Sequence, residues 1–535
     1  MEFDYVIVGG GSAGCVLAAR LSQDPGASVA LLEAGGENDS ILNRVPVGAA
    51  LHVMNRNACN WAFTTVPQAG LNGRRGYQPR GRGLGGSSSI NAMIYLRGQP
   101  EDYDQWSAQG AQGWAWRDVL PYFLRAENNE RGASQWHGAG GPLNVADLRS
   151  PNPFDALFLR AANEAGIATN ADFNGARQEG AGPYQVTQKN GERWSARQAY
   201  LDPVRGRANL ALFTQARVQR VVFDNHVAQG VVVERAGQTQ TVRARREVIV
   251  AAGALQSPQL LLLSGIGPPA HLAQFGVPAV ADVPGVGHNL QDHLDVTLSR
   301  RVANTDLLGL SLPGAIKLGR GIMQWRRERR GILTSNFAEA GAFVRTRAEL
   351  ARPDLQLHFV IGMVDNHNRT HHLGHGMSCH ACALQPKSRG VVQLASNDPM
   401  AAPAIDPRFL SEPADLETLL HGLKLSRRIF AQPAFAPYGG GDRARELYFG
   451  SATADDELRA LIRAHADTIY HPAGTCKMGD LAGDPMAVVD AQLRVRGVTR
   501  LRVVDGSVMP TLVSGNTNAP TIMLAEKAAD LLRAG

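Results

Sequence analysis

Cysteine is scarce in this sequence of 535 residues, which contains five: Cys15, Cys59, Cys379, Cys382 and Cys476. An odd number of scattered cysteines argues against a disulfide framework. The first residues, Met1–Asp4, are acidic and lead directly into an apolar run, which is typical of neither a signal peptide nor a transit peptide. We therefore expect reduced thiols in an intracellular, cytoplasmic protein.

Long hydrophobic runs are also lacking. The most apolar long segment, Val248–Leu263, is interrupted by a Gln-Ser-Pro-Gln sequence and is too short to span a bilayer. The net charge is +6, but no pattern of aromatic and basic residues suggests stacking on bases, so we predict no nucleic-acid partner. Hydrophobic and charged contents of 44% and 19% are typical of a globular protein. The length predicts two or three domains.

A metal site is not expected either, although one segment is rich in histidine. The chain has a single C-x-x-C pair, Cys379 and Cys382, whereas structural zinc sites usually take four ligands from two such pairs. The two cysteines lie in a predicted strand, where residues three apart point to opposite faces. We expect the loop that carries these histidines to border the substrate entrance instead: His367, His371, His372, His375 and His380.

One basic stretch, residues 316–330, has two interpretations. It could lie on an anionic membrane surface, as basic amphipathic helices do, or it could be a solvated helix face beside a loop. Both interpretations stay open. The basic residues of this stretch are Lys317, Arg320, Arg326, Arg327, Arg329 and Arg330. They are interleaved with the apolar residues Ile316, Leu318, Ile322, Met323 and Trp325.

A glycine-rich turn stands between two apolar runs at the start of the chain. Tyr5–Val8 and Val29–Leu32 are predicted to be buried strands. The segment between them carries the motif G-x-G-x-x-G, at Gly9, Gly11 and Gly14. These glycines permit a tight turn, the approach of a pyrophosphate and close packing of helix on strand. Glu33, 19 residues after the third glycine, is placed to bind an adenosine ribose. The motif predicts a dinucleotide-binding site and leaves FAD and NAD open.

Three further segments resemble signatures of one family. Glycine is densest in residues 79–91, which indicates close approach of a ligand to the backbone. Gly81–Gly98, with the sequence GRGLGGSSSINAMIYLRG, resembles a signature of the glucose-methanol-choline (GMC) flavoprotein oxidoreductases. Gly253–Gly267 is similar to the second signature of that family, and Pro284–His293 to a third landmark.

The resemblance implies an α/β fold (α+β overall), with a Rossmann-like FAD-binding domain and an inserted antiparallel-sheet substrate domain. Rising proline content and short alternating strands from residue 302 to about 449 also favour a separate antiparallel domain. We expect residues 1–150, 205–300 and 460–535 to form the FAD-binding domain. Residues 151–204 and 301–459 are expected to form the substrate-binding domain.

FAD is the cofactor that the resemblance implies. Some members of the family attach it through a histidine just before the asparagine of the glycine-rich loop. Here that position is Ile90, which has no nucleophile, so we predict non-covalent FAD. The residues expected to bind it, by their positions in the family's motifs, are Gly9, Gly11, Ser12, Ala13, Gly14, Glu33, Ala34, Trp61, Leu84, Gly86, Ser87, Asn91, Ala92, Met93, Val218, Tyr470, Asp505, Gly506 and Thr517.

Two residues near the end of the chain fall on the family's paired catalytic positions. His471 precedes a proline, so its backbone is expected to be extended rather than helical. Asn516 lies 45 residues later, before a predicted terminal helix over 521–533. The resemblance implies that His471 is the general base that takes the alcohol proton. Asn516 would donate a hydrogen bond to the developing alkoxide.

The predicted activity is oxidation of primary alcohols to aldehydes, with hydride transfer to flavin N5. The resemblance is nearest to bacterial alcohol dehydrogenases that pass electrons to a quinone. Alternatives are an alcohol oxidase that uses oxygen, a choline or polyethylene-glycol dehydrogenase, a lyase or decarboxylase on the same fold, or a membrane-peripheral FAD-binding protein without activity. A decarboxylase would not need an alcohol base, and a binding protein would need neither His471 nor Asn516.

Substrate identity is less constrained by the sequence. Choline would need a carboxylate or an aromatic cage for its ammonium group, and no such cage is evident in the sequence. We therefore favour uncharged aliphatic alcohols. Glu339 and His358, in the inserted domain, are candidates to face the substrate, with a structural role as the alternative.

Overall fold

The structure is a computed structural model that describes residues 1–54 and 57–534. Its helices are α1 (Ser12–Leu21), α2 (Ile41–Arg44), α3 (Ala49–Met54), α4 (Pro100–Ala108), α5 (Trp116–Ala126), α6 (Pro153–Glu164), α7 (Gln256–Leu263), α8 (Pro269–Gln274), α9 (Leu312–Glu328), α10 (Pro413–Phe430), α11 (Asp455–His465) and α12 (Asn518–Ala534).

The strands are mostly short, and the longest follow residue 215. They are β1 (Glu2–Val8), β2 (Val29–Leu32), β3 (Phe63–Thr64), β4 (Tyr77–Gln78), β5 (Glu127–Asn129), β6 (Leu143–Val145), β7 (Gly180–Pro183), β8 (Gln188–Lys189), β9 (Glu192–Arg193), β10 (Leu210–Phe213), β11 (Ala216–Asp224), β12 (Val227–Arg235), β13 (Gln238–Val250), β14 (Ile266–Gly267), β15 (Ala281–Asp282), β16 (His288–Leu290), β17 (Leu294–Arg301), β18 (Gly309–Leu310), β19 (Ala338–Val344), β20 (Leu355–Val360), β21 (Gly374–Ala383), β22 (Gly390–Gln393), β23 (Ala404–Asp406), β24 (Asp467–Thr468) and β25 (Leu501–Val503).

A parallel sheet carries the N-terminal motif. Its strands β10, β2, β1 and β13 pair in that order, and β25 pairs with the C-terminal half of β13. The strands β1 and β2, in the middle of this order, are apolar and almost entirely buried, as is typical of strands within a parallel sheet. The N-terminal half of β13 instead joins an antiparallel ribbon with β12 and β11. The carboxyl ends of β1 and β2 therefore lie side by side, where the glycine-rich turn begins.

The terminal helix α12 packs against α1 in this part of the molecule. Glu526, fully buried on α12, pairs with Arg20 of α1 at 2.7 Å. The Tyr200 hydroxyl donates to the same carboxylate at 2.8 Å. The packing brings Asn518, the first residue of α12, to the N-terminus of α1, where its Oδ1 accepts a hydrogen bond from the Ser12 hydroxyl at 2.7 Å. The end of the chain thus returns to the motif at its beginning.

A second, antiparallel sheet has the order β24, β17, β21, β20, β19 and β7, with β18 beside β21. Helices α6 and α10 cover one face of it. Phe158 of α6 stacks on Phe359 of β20 with a distance of 4.8 Å between ring centroids. A separate apolar core forms there. The side chains on the other face of β20 point towards the first sheet's carboxyl edge, and His358 is one of them.

The predicted α/β fold with an inserted antiparallel sheet is confirmed. One predicted boundary differs, since α12 begins at Asn518 and not at Thr521. The apolar run that starts at Val248 is only the end of β13, which begins at Gln238 because its polar half pairs within the ribbon. The division of the chain into domain segments stays a prediction. β17, which begins at Leu294, pairs within the second sheet. Among the described residues, no helix is long and apolar enough to cross a membrane.

Candidate active site

A cavity of about 700 Å³ extends from the carboxyl edge of the first sheet to β20 of the second. Most of the predicted site residues line it. They are Gly9, Gly11, Ser12, Ala13, Glu33, Ala34, Trp61, Gly86, Ser87, Asn91, Ala92, Met93, Val218, Tyr470, Asp505, Gly506 and Thr517, together with His471 and Asn516.

Two predicted residues lie outside this lining. A Cβ atom on Gly14 would come within 1.9 Å of the Gly9 carbonyl oxygen, so this glycine serves the packing of α1 on the turn. Leu84 is 1% exposed and lies behind Gly10, where an added Cβ would approach its Cδ2 to 2.9 Å. Leu84 is therefore not part of the cavity wall, and its predicted contact with the cofactor stays a prediction.

The turn at the start of α1 has the shape and polarity that a dinucleotide requires. A Cβ on Gly11 would meet nothing within 4 Å, because this position faces the cavity. Gly11 also caps α1 without a side-chain hydrogen bond, so the first N–H groups of the helix are left for a ligand. Helix N-termini favour phosphate through these donors and the helix dipole. The residues present thus fit the pyrophosphate of FAD.

Two carboxylates hold the loops around this end of the cavity. Glu33 accepts hydrogen bonds from the backbone N–H groups of Gly10, Gly35 and Gly83, at 2.7 to 2.9 Å. Asp505 accepts from the Gly253 N–H at 2.8 Å, and also from the side chain of Ser257 and the N–H of Ser507. The contact of Glu33 with a ribose stays a prediction. The hydrogen bonds of Glu33 to Gly10, Gly35 and Gly83 already explain why a carboxylate is present at this position.

His471 and Asn516 meet at the other end of the cavity. The Asn516 amide nitrogen Nδ2 lies 3.1 Å from His471 Nε2. His471 is in a loop, as its Pro472 neighbour predicted, and its backbone N–H donates to Asp292 Oδ1 at 2.9 Å. The Arg80 guanidinium fixes the same loop by donating to the Tyr470 carbonyl at 2.7 Å. The imidazole is therefore held by its own backbone as well as by Asn516.

A second histidine, His293, fixes the tautomer of His471. The Leu384 carbonyl can only accept, so His293 Nε2, at 3.0 Å, must carry the proton that forms this bond. Burial lowers the pKa of His293 to about 4, so the ring is neutral and its Nδ1 carries no proton. His471 Nδ1, 3.0 Å from that atom, must then be the donor. His471 Nε2 is consequently the unprotonated nitrogen, and it faces the cavity.

His293 was not singled out from the sequence as a site residue. It is the last residue of Pro284–His293, which resembles a family landmark, but its contact with His471 depends on the pairing of β17 with β24. The deduced tautomer predicts that His293→Ala lowers kcat on the order of 10²-fold, since His471 Nδ1 loses its acceptor.

The matched control is His293→Gln, whose amide has both an acceptor and a donor and should restore much of the activity. Bound FAD should be unchanged in both variants, because His293 does not line the cavity. Equal activity in the alanine variant and the parent, across the pH range, would show that His293 does not set the tautomer.

The protonation state of His471 gives a prediction for pH. Burial, with smaller effects from His293, His358 and Arg80, holds the pKa of His471 well below its usual value of 6.5. A general base must be neutral, and His471 becomes protonated only at a pH well under 6.5. We therefore expect kcat/KM for an alcohol to stay level as pH falls to 6.5 and to decline only below it. A decline centred at or above pH 6.5 would contradict this.

The two candidates in the inserted sheet have different outcomes. His358 lines the cavity, and neither of its buried ring nitrogens makes a hydrogen bond of ordinary geometry with a described residue. Glu339, on the neighbouring strand β19, points away from the cavity. It accepts from the Asn152 N–H at 2.8 Å and lies against Asp155, and burial together with the nearby Glu339 carboxylate raises the pKa of Asp155 well above its usual value. The possibility that Glu339 faces the substrate was wrong, because Glu339 lies at an irregularity in the pairing of β19 and its buried carboxylate accepts from the Ser335 hydroxyl and the Asn152 N–H instead.

The histidine-rich segment lies beside the cavity. His371, His372 and His380 are in its lining. Cys379 and Cys382 are buried on opposite faces of β21. Within residues 1–54 and 57–534, no cluster of three or more His, Cys, Asp or Glu side chains is arranged to hold a metal ion.

The fold and this arrangement of site residues define a class of protein. The GMC oxidoreductase models match residues 3–295 and 386–525, so the chain belongs to the GMC oxidoreductase family. Its members are flavoproteins, and the cofactor is FAD. The predicted family and cofactor are confirmed.

Individual relatives cover nearly the whole chain. The sequence is 47% identical over 534 residues to an alcohol dehydrogenase [acceptor] of Pseudomonas putida, with coverage of 99% of this chain and 95% of that protein. It is 44% identical to the mitochondrial choline dehydrogenase of Homo sapiens, over 99% of this chain and 90% of the relative. Among solved structures, pyridoxine 4-oxidase from Mesorbium loti superposes with a TM-score of 0.87 at 32% identity, covering 100% of this chain and 99% of the other. The chain is an oxidoreductase with alcohol and choline dehydrogenases among its relatives.

Proposed function

We propose that this protein is an FAD-dependent alcohol dehydrogenase that oxidises primary, uncharged aliphatic alcohols to aldehydes. The observation that carries the proposal is the contact of Asn516 Nδ2 with His471 Nε2, the nitrogen that His293 leaves unprotonated. An alcohol hydroxyl beside these two atoms can donate its proton to the imidazole while its oxygen accepts from the amide. Both groups act on the same oxygen.

His471 serves as the general base for the hydroxyl proton. Its Nε2 takes the proton, and the resulting imidazolium is stabilised by the acceptor that His293 Nδ1 presents to the other ring nitrogen. Asn516 stabilises the negative charge that develops on the alcohol oxygen. The Gln356 amide nitrogen, 3.4 Å from Asn516 Oδ1, orients the asparagine so that its NH₂ group faces His471. FAD, when bound, supplies the acceptor for the hydride that leaves the alcohol carbon.

The charge of the cavity wall supports an uncharged substrate. Of the described residues that line the cavity, the carboxylates are Glu33 and Asp505, which belong to the dinucleotide end. Away from the dinucleotide end, the lining includes the apolar side chains of Ile94, Phe337 and Val360 together with the imidazoles of His358 and His380. A quaternary ammonium group would find no carboxylate there, whereas an alkyl chain would find apolar contacts. This observation favours alkanols over choline, which is the substrate named for one of the relatives.

We propose a quinone, or a similar organic acceptor, as the oxidant of the reduced enzyme. The name of the Pseudomonas relative, alcohol dehydrogenase [acceptor], supports an electron acceptor without specifying which one, whereas other relatives are named oxygen-dependent choline dehydrogenases. We propose in addition that the cavity-lining residues named above bind FAD without a covalent bond, and that the domain segments follow the sequence division except for β17 and β24, which pair within the second sheet. We also propose that the protein works in the cytoplasm, at the inner face of the cell membrane.

A substrate panel with two acceptors tests the proposal. FAD-loaded protein is assayed with alkanols, glycols, aryl alcohols and choline, under nitrogen with a quinone or dye, and in air for peroxide. We expect the highest kcat/KM with primary alkanols and a quinone or dye. A preference for choline would contradict the substrate, peroxide formation at the rate of alcohol oxidation would contradict the acceptor, and failure of every alcohol to bleach the flavin would contradict the function.

A further inference from the structure

Helix α9 presents its apolar side to solvent rather than to the protein. Its inward face carries Gly321 and Trp325, and the Trp325 indole packs on Val45 and Leu333. The opposite face carries Leu312, Ile316 and Met323, at helical spacings of four and seven, with exposed fractions of 77%, 51% and 49%. Surface helices normally direct such a stripe to the core. The stripe of α9 is therefore left for a partner outside the chain.

The apolar exposure continues from α9 to the mouth of the cavity. Leu51, Leu310 and Leu318 line the cavity and are also about half exposed, so they mark where it opens. Leu310 forms a bridge with Leu373, which is 78% exposed. We call this continuous area the mouth surface: Leu51, Leu310, Leu312, Ile316, Leu318, Ile322, Met323 and Leu373. Contiguous apolar exposure of this kind marks an interaction site.

Basic side chains flank the stripe. Lys317 pairs with Asp306 at 2.7 Å, and Arg329 lies 3.4 Å from Glu192. The other four basic residues of the stretch form no ion pair with any residue that the structure describes: Arg320, Arg326, Arg327 and Arg330. The surface around the mouth is thus apolar in the middle and positive beside it.

We propose that the mouth surface docks on an anionic lipid bilayer. An interfacial helix inserts its apolar face at the boundary of headgroups and acyl chains, while flanking arginines contact anionic headgroups, and α9 has this arrangement. A second copy of the chain fits less well, because a twofold contact through α9 would bring the same arginines together. Docking would let alcohols or acceptors that are dissolved in the bilayer enter the cavity directly. This consequence rests on the proposed function.

Vesicle binding by the FAD-loaded protein tests the docking. We expect sedimentation with phosphatidylcholine–phosphatidylglycerol vesicles, weaker binding to phosphatidylcholine alone, and release by salt. The variant Arg326→Glu/Arg327→Glu should bind at least about twenty-five-fold more weakly, because each of the two basic residues near an anionic surface contributes about a fivefold factor. Ile316→Glu/Met323→Glu should also lose binding. The control Arg117→Glu/Arg160→Glu makes the same charge change on α5 and α6 and should bind as the parent does.

Alcohol oxidation with a water-soluble dye separates this proposal from the function. None of the four α9 residues lines the cavity, so we expect their variants to keep the parent's dye-linked rate. Loss of vesicle binding with that rate intact supports the docking. No binding of the parent to anionic vesicles, equal binding by the parent and the α9 variants, or self-association that Ile316→Glu/Met323→Glu abolishes would each overturn it.

Discussion

Replacing His471 with alanine should lower kcat for a primary alkanol by about 10²- to 10⁴-fold, the usual contribution of a positioned general base. The variant loses the unprotonated Nε2 that faces Asn516 and with it the atom that takes the hydroxyl proton. FAD should remain bound, since the turn at Gly9–Gly14 and Glu33 lies at the other end of the cavity. Steady-state kinetics and the visible flavin spectrum measure the two effects.

Two further variants sharpen this result. Asn516→Ala should lose about 10²- to 10³-fold, the typical cost of one donor to a developing oxyanion. His421→Ala removes an imidazole from the exposed side of α10 and should leave the rate unchanged. Unaltered turnover in His471→Ala would exclude this residue as the base, and a fall of similar size in the His421 variant would point to an unspecific effect.

Replacing Gly11 with leucine should abolish FAD binding without unfolding the protein. The added side chain meets no protein atom at its Cβ, and the backbone there, with φ −74°, is open to any residue. It would fill the space beside the N-terminus of α1 that the pyrophosphate is expected to occupy. Purified protein should be colourless, and added FAD should not raise its melting temperature. The parent should gain about 2.7 kcal/mol of stability at FAD concentrations near a hundred times Kd.

The matched control is Gly206→Leu, at another glycine where an added Cβ meets nothing within 4 Å. Gly206 is exposed and does not line the cavity, so this variant should bind FAD as the parent does. A yellow Gly11→Leu protein with normal FAD affinity would mean that the cofactor does not pass beside this turn.

The local parts of the site were predictable because they depend on short spacings. A strand, three glycines, a helix and Glu33 within 34 residues leave few alternatives, and the structure has them in the predicted order. His471 could be placed in an extended loop because the next residue is proline. Its contact with Asn516 came from the family resemblance, since 45 intervening residues carry no local rule that brings the two together.

Other features depend on long-range packing. The tautomer of His471 requires His293, which is 178 residues away and reaches it only when the second sheet forms. The orientation of α9 was also undetermined, because an apolar stripe with helical period fits a buried face and an outward face equally well. Trp325, which belongs to the same stretch, anchors the helix by the opposite side, where its indole donates to the Gly191 carbonyl at 2.8 Å.

Anaerobic mixing of FAD-loaded protein with a long-chain primary alkanol tests the central claim most directly. Flavin absorbance is followed in the parent and in His471→Ala at the same pH. We expect rapid bleaching in the parent and bleaching at least about 10²-fold slower in the variant, with no bleaching by the corresponding alkane. Equal bleaching rates in the two proteins, or a parent flavin that stays oxidised with every alcohol, would contradict the assignment of His471 and Asn516 as the alcohol-oxidising pair.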